Sequence, residues 1–243
     1  MKSQHPAPRA FYGNGLPHVD LESLQDGRLI VIEGADGSGR STQIGLLREV
    51  MAEQGYDTVS TGLVHSTLVS EELEAAKQGN VMGRRTMALF YATDFCDQLE
   101  NRIIPALREG KVVLADRYIY TLIARHIVRH LEPDWVESLY GIALVPDAVF
   151  YLHVDPEILL ERSFQKNATL DYWESGMDIG LSLDRVESFL TYQAMIEQQF
   201  HALQDRYGFH MIDGNRPVNA VAEELQAAVL KALENGQSRQ IAS

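Results

Sequence analysis

The sequence predicts an α/β fold, a five-stranded parallel sheet with helices on both faces. Three observations carry this. Five short strand candidates recur along the chain, four of them largely apolar, stretches with helical spacing separate them, and the first ends in a glycine-rich turn. Strands divided by helices need crossover connections, which run right-handed and leave the strands parallel. Strands covered on both faces read as continuous apolar runs rather than alternating ones.

The elements follow in order. Residues 1–27 hold Pro6, Pro8 and Pro17, scattered glycines and no period. They read as an arm, flexible or packed on the surface or on a partner subunit. Residues 29–32 (Leu-Ile-Val-Ile) form the first strand. Residues 42–54 form a helix with Ile44, Leu47, Val50 and Met51 on one face. Strands are predicted at 57–61, 112–115, 148–152 and 209–212, with a long helix over 84–109. Pro156 and Pro217 stand just inside two helix starts, where a missing N–H costs little. The domain spans 28–233, and 234–243 is an unpatterned tail.

Composition narrows the function. At 243 residues and 45% hydrophobic content the chain can bury one sheet with its helices. A formal net charge of −13 argues against a nucleic-acid partner, which needs a basic face to neutralise phosphates. Local cations can still collect one small anionic substrate. The single cysteine, Cys96, excludes an intrachain disulfide and reads as a small core residue. No apolar run reaches membrane-spanning length and no signal-peptide core is present, so no membrane role and a cytoplasmic location are expected.

The turn after the first strand is the most specific motif. Gly34, Ala35, Asp36, Gly37, Ser38, Gly39, Arg40 and Ser41 match the spacing G-x-x-x-x-G-K-[ST] except that Arg40 replaces lysine. Glycines let successive N–H groups face phosphate oxygens, and the following helix adds its positive end. With Thr42 these residues are the expected ATP site. The Ser41 hydroxyl is placed to ligate Mg²⁺, and the cation at 40 to reach the β- and γ-phosphates. Arginine is longer, planar and forked, so it grips phosphate bidentately or leaves a loop that binds nucleotide and transfers slowly.

Asp116-Arg117-Tyr118 directly follows the third strand. A carboxylate there can hold Mg²⁺ through water, and the arginine can neutralise the transferring group. The plainer alternative is a helix N-cap followed by a solvated arginine.

With both motifs in place, the chain resembles the thymidylate kinase family, P-loop enzymes that phosphorylate dTMP with MgATP. The resemblance runs from about Arg28 to Ala232. It is carried by residues 32–39 (Ile-Glu-Gly-Ala-Asp-Gly-Ser-Gly), Ser41-Thr42-Gln43, Leu89-Phe90-Tyr91-Ala92, Ile104-Pro105-Ala106-Leu107, Asp116-Arg117-Tyr118, and Pro146-Asp147 with 151–157. It implies the P-loop kinase fold with a mobile lid, here at about 162–180, and in-line transfer to a nucleoside monophosphate, most simply dTMP. It puts Asp36 near the acceptor sugar and the metal, Phe90 on the acceptor base and Arg117 at the phosphate. A homodimer through helices beside the sheet is also implied, with 89–107 either that surface or core. Without the resemblance, Phe90 reads rather as a core residue of an amphipathic helix.

Departures concentrate on the acceptor side. The family's Arg-Glu-Pro-Gly-Gly after the second strand is here Gly62-Leu63-Val64-His65-Ser66, and its Ala-Asp-Arg is Thr93-Asp94-Phe95. A base-pairing glutamine is replaced by His126 beside Arg125. Arg84, Arg85, Arg125 and Arg129 are the spare cations. In the lid, Lys166 is the candidate that reaches the transferring phosphate, or else a surface lysine. Three functions remain open on sequence: dTMP kinase, a same-fold kinase for another nucleotide or metabolite, and an ATP-binding protein with weak or lost transfer.

Overall fold

The computed structural model describes residues 8–79, 82–167 and 169–235. Five parallel strands, β1 (Arg28–Gly34), β2 (Thr58–Gly62), β3 (Val112–Asp116), β4 (Ala148–His153) and β5 (His210–Asp213), lie in the order β2-β3-β1-β4-β5. Each falls on one of the five predicted runs. The chain builds β2 and β3 on one side of β1 and then β4 and β5 on the other. The crevice outside the carboxyl end of β1 is therefore the switch point where ligands bind in such sheets.

Alternate strand residues feed two cores. Leu29, Val31, Val113, Ala115, Val149 and Tyr151 face one side, under α3 (Arg84–Gln98), α5 (Ile119–Val128) and α8 (Arg185–Tyr207). Ile30, Ile32, Val112, Leu114, Phe150 and Leu152 face the other, under α1 (Arg40–Glu53) and α9 (Val218–Asn235). Both faces being dry explains the apolar runs of β1, β3 and β4, while the edge strands β2 and β5 are partly exposed and carry polar residues. The remaining helices are α2 (Ser70–Gly79), α4 (Ile104–Arg108), α6 (Pro133–Leu139) and α7 (Pro156–Lys166).

Two expectations change in detail. The helix predicted over 84–109 is continuous, but a π turn at Leu99–Ile103 divides α3 from α4. Pro105 sits in the first turn of α4 and has no N–H for the turn before it, and the backbone widens there. Of the proposed contact surface, Leu99, Ile103, Ile104 and Leu107 are core, while Leu89 is 49% exposed. Cys96 is half-buried with its thiol toward Glu100.

The segment read as an arm lies against the domain over its described part. Arg9 is buried and donates to the Leu24 carbonyl (2.6 Å) and to Asp147 (3.2 Å). Phe11 bridges Leu144, the Tyr12 and Tyr120 hydroxyls share a hydrogen bond (2.5 Å), and Leu24 is fully buried. Residues 1–7 and 236–243 lie outside the described residues. No helix among the described residues is long and apolar enough to cross a membrane.

Candidate active site

The glycine-rich loop leaves β1 at the switch point and turns directly into α1. Gly37 (φ 82°) and Gly39 (φ 94°) take left-handed conformations that strain any other residue. Gly39 caps α1, so the helix begins two residues earlier than predicted, at Arg40. The first turn of α1 is thus part of the loop, and its free N–H groups form an anion-binding end.

Arg40 is buried. Its guanidinium donates to the Gly34 and Ala35 carbonyls, to Ser38 Oγ (3.2 Å) and to Asp116 Oδ1 (2.7 Å). The sequence placed this cation on the donor phosphates; here it is turned in against the loop's own carbonyls. The fork that distinguishes arginine from lysine makes these simultaneous contacts. Asp116 also accepts from Ser41 Oγ (3.0 Å), which brings the two expected magnesium ligands together at an exposed position. Burial acts to raise the Asp116 carboxyl, but Arg40 and the other neighbours hold it below the usual range.

Asp36, the third expected metal ligand, points elsewhere. It is gripped by Arg117 and Arg125. Against the pull of burial, these two guanidiniums keep its carboxyl well below the usual range. Arg117 has φ 73°, a left-handed conformation uncommon outside glycine. Buried Glu33 braces the segment that holds it, accepting from Tyr118 N (2.9 Å) and Thr121 Oγ1 (2.5 Å). Burial raises Glu33 to about 7 even though Thr121, Tyr118 and Arg40 act to lower it.

A cavity of 280 Å³ opens beside Asp36. Met87, Tyr91, Leu122 and His126 line one part, and Lys77, Arg84, Arg117, Arg125 and Arg129 supply cations. His126 is brought in as expected. Burial, with Arg129 and Arg125 nearby, lowers it to about 3, so it is neutral at neutral pH. It stacks on Tyr140, with Nε2 3.1 Å from that hydroxyl. Phe90 does not line the cavity; it is half-buried against the core, and the next residue, Tyr91, takes the place expected for it. Arg85 is on the surface with Glu132.

The departures from the family pattern have local reasons. Asp94 is fully buried and accepts from Val64 N and Ser66 N, both at 2.8 Å, so it ties down the arginine-free loop after β2. Phe95 is core, edge-on to Tyr118 and Tyr140.

The segment expected to be a lid contributes to the cavity wall. Asp171, Trp173 and Glu174 line it, and Trp173 Nε1 donates to the Lys77 carbonyl (3.0 Å). Arg129 latches it from below: it donates to Asp178 (2.7 and 3.0 Å), the Trp173 carbonyl (3.1 Å) and the Tyr192 hydroxyl (2.7 Å). Burial, with Asp36 close, pushes Glu174 up to about 7. Lys166, at the end of α7, is exposed and lines neither this cavity nor the next. Arg162, one turn earlier, is the α7 cation at the loop, with NH1 3.4 Å from the Gly37 and Ser38 carbonyls. A second cavity of 220 Å³ lies on that flank, lined by Gly37, Gly39, Thr42, Arg162, Gly214 and Arg216 among others.

The loop therefore separates two cavities, one on its Asp36 side and one on its Gly37–Thr42 side. Comparison with known proteins identifies the family. The family model for thymidylate kinase matches residues 32–225. The chain belongs to the thymidylate kinase family. It is 37% identical to "Probable thymidylate kinase 2" of Saccharolobus solfataricus over 210 residues, covering 86% of this chain and 98% of that one. It is 38% identical to a thymidylate kinase of Shouchella clausii over 152 residues, 60% of this chain and 71% of the relative. A thymidylate kinase of Halothermothrix orenii is 32% identical over 206 residues, covering 82% and 94%. Lys77, Tyr91 and Tyr192 line the 280 Å³ cavity without having been singled out from the sequence, and Glu33 braces it from behind. Tyr91 had a readable signal: it stands four residues after buried Met87 and four before buried Phe95, on the inward stripe of α3.

Proposed function

We propose that the protein transfers the γ-phosphoryl group of ATP to dTMP, giving dTDP and ADP. The observation that carries the reading is the pair of cavities on opposite flanks of one phosphate loop, with Arg117 and Arg125 on the Asp36 side. The flank with Arg162 and Arg216 suits ATP, and its triphosphate would lie along the loop toward Ser41. The larger cavity suits the monophosphate. Its aromatic and apolar part, with Tyr91 and neutral His126, takes the base, and its cations take the phosphate.

The residues also fit Mg²⁺. Ser41 and Asp116 offer adjacent hard oxygen donors at an exposed position where water can complete the coordination. When bound there, the ion supplies positive charge to the phosphate oxygens. The rest falls to the chain. An oxygen of the acceptor phosphate attacks the γ-phosphorus as the bond to the β–γ bridging oxygen breaks, and ADP leaves with the electron pair. The acceptor is already an anion, so no general base is required. Arg117 and Arg125 orient it and offset charge on the transferring group. The lid excludes water, which would otherwise compete as acceptor.

The test is ADP release measured against a panel of nucleoside monophosphates. Turnover with dTMP well above dUMP, dCMP, dGMP and AMP is expected. Turnover with another acceptor alone, or ATP binding without turnover on any, rejects the reading.

A further inference from the structure

Outside the nucleotide cavities, three side chains converge where α8 crosses the carboxyl end of β4. His153 Nε2 is 2.5 Å from Glu197 Oε1, and His201 Nε2 is 3.7 Å from the same oxygen. One ligating atom from each of the three lies within 4.8 Å of the others. We propose that His153, Glu197 and His201 form a binding site for a divalent transition metal of the zinc type, separate from the magnesium position at Ser41 and Asp116.

The ligand chemistry selects the metal class. Two imidazole nitrogens with one carboxylate suit Zn²⁺ and its neighbours, whereas Mg²⁺ and Ca²⁺ prefer oxygen donors alone. A plain hydrogen-bonded pair would need only one histidine on Glu197. Here a second imidazole from the next turn of the helix aims Nε2 at the same oxygen, with the two rings 5.9 Å apart. Two imidazole nitrogens this close to one carboxylate oxygen can be joined by a cation that accepts their lone pairs.

The scaffold is stiff. His153 closes β4, and its carbonyl accepts from Gly214 N (2.7 Å). Glu197 and His201 are four residues apart on a 23-residue helix, so they share a face. Beneath them Tyr151 stacks on Phe200 with ring centres 4.5 Å apart, fixing the spacing of strand and helix. The side chains are 21%, 28% and 50% exposed, which leaves an entry path and room for water as a fourth ligand. Tetrahedral binding requires the His153–Glu197 pair to open by somewhat under 1 Å, from hydrogen-bond contact to the spacing of two ligands about 2 Å from one ion. A bound metal would clamp α8, which carries Tyr192 and so the far wall of the acceptor cavity, to the strand beside the phosphate loop.

The test uses the full chain without an added histidine tag, stripped with chelator and titrated with Zn²⁺ or Co²⁺. One equivalent of Zn²⁺ should raise the melting temperature, and Co²⁺ should give the visible band of four-coordinate cobalt. His201→Ala, a change at a half-exposed position, and Glu197→Gln should each weaken binding roughly tenfold or more and remove the band. Excess Mg²⁺ should not displace the ion. The absence of a band and of a melting shift overturns the proposal, as does binding that both variants retain, because the ion is then held elsewhere.

Discussion

Phe90 and Tyr91 are neighbours in sequence but stand about 100° apart around α3, and that step decides which one lines the cavity proposed for the acceptor. Tyr91 falls on the inward stripe and lines the cavity, whereas Phe90 packs beside it on the core. Tyr91→Ala should therefore raise the KM for dTMP by roughly tenfold, the order of one lost base stack. Phe90→Ala should lower the melting temperature and leave that KM near the parent value. Steady-state kinetics on the pair distinguishes them. At Glu33 the prediction concerns pH. Its folded value is about 7 against an ordinary 4.5, so the folded state holds a proton that the unfolded chain has released between those values. Its contribution is complete below about pH 4.5 and is lost as pH rises toward 7. Relative to Glu33→Gln, the parent should lose on the order of 3 kcal/mol across that window, read from urea unfolding at several pH values. Arg40 was legible as a departure from lysine, but its partners were not. That a forked cation would turn toward the Gly34 and Ala35 carbonyls depends on how the loop closes.

Among the elements, the segment after α7 is tied to its neighbours through individual side chains, Arg129, Trp173, Ser188 and Gln193 among them. One such tie is Arg129 of α5, which joins the Trp173 carbonyl, Asp178 and Tyr192 in one buried cluster. Removing one partner of a buried ion pair leaves the other charged and unmatched, at a cost of about 3–5 kcal/mol. Arg129→Ala should free the lid first. Amide exchange over 171–180 should accelerate more than exchange in β1 or β3, and the KM for dTMP should rise with it. Little of this latch was visible beforehand. Arg129 could be noted as a spare cation, yet its three partners lie on two other segments 44 to 63 residues away.

For the whole molecule, the sheet was legible because its physics is local. A strand dry on both faces must be an apolar run, which marks β1, β3 and β4, and the five strand candidates place all five strands within a residue or two. The phosphate loop was legible because backbone geometry confines its glycines to fixed spacing. The 280 Å³ cavity was not, since its wall is assembled from four helices, three loops and the phosphate loop's Asp36, each contributing only a few residues. The first described residues mark the same limit: their packing uses single side chains without period, so nothing repeats for the eye to catch. That packing has a consequence a protease can read. The folded protein should resist trypsin at Arg9, whose side chain is fully enclosed, although it lies in a stretch that looks ready to be cut. A chain begun at Arg28 would uncover Tyr120 and strip Asp147 of its arginine, and it should emerge as a species quickly digested throughout rather than a trimmed, resistant core.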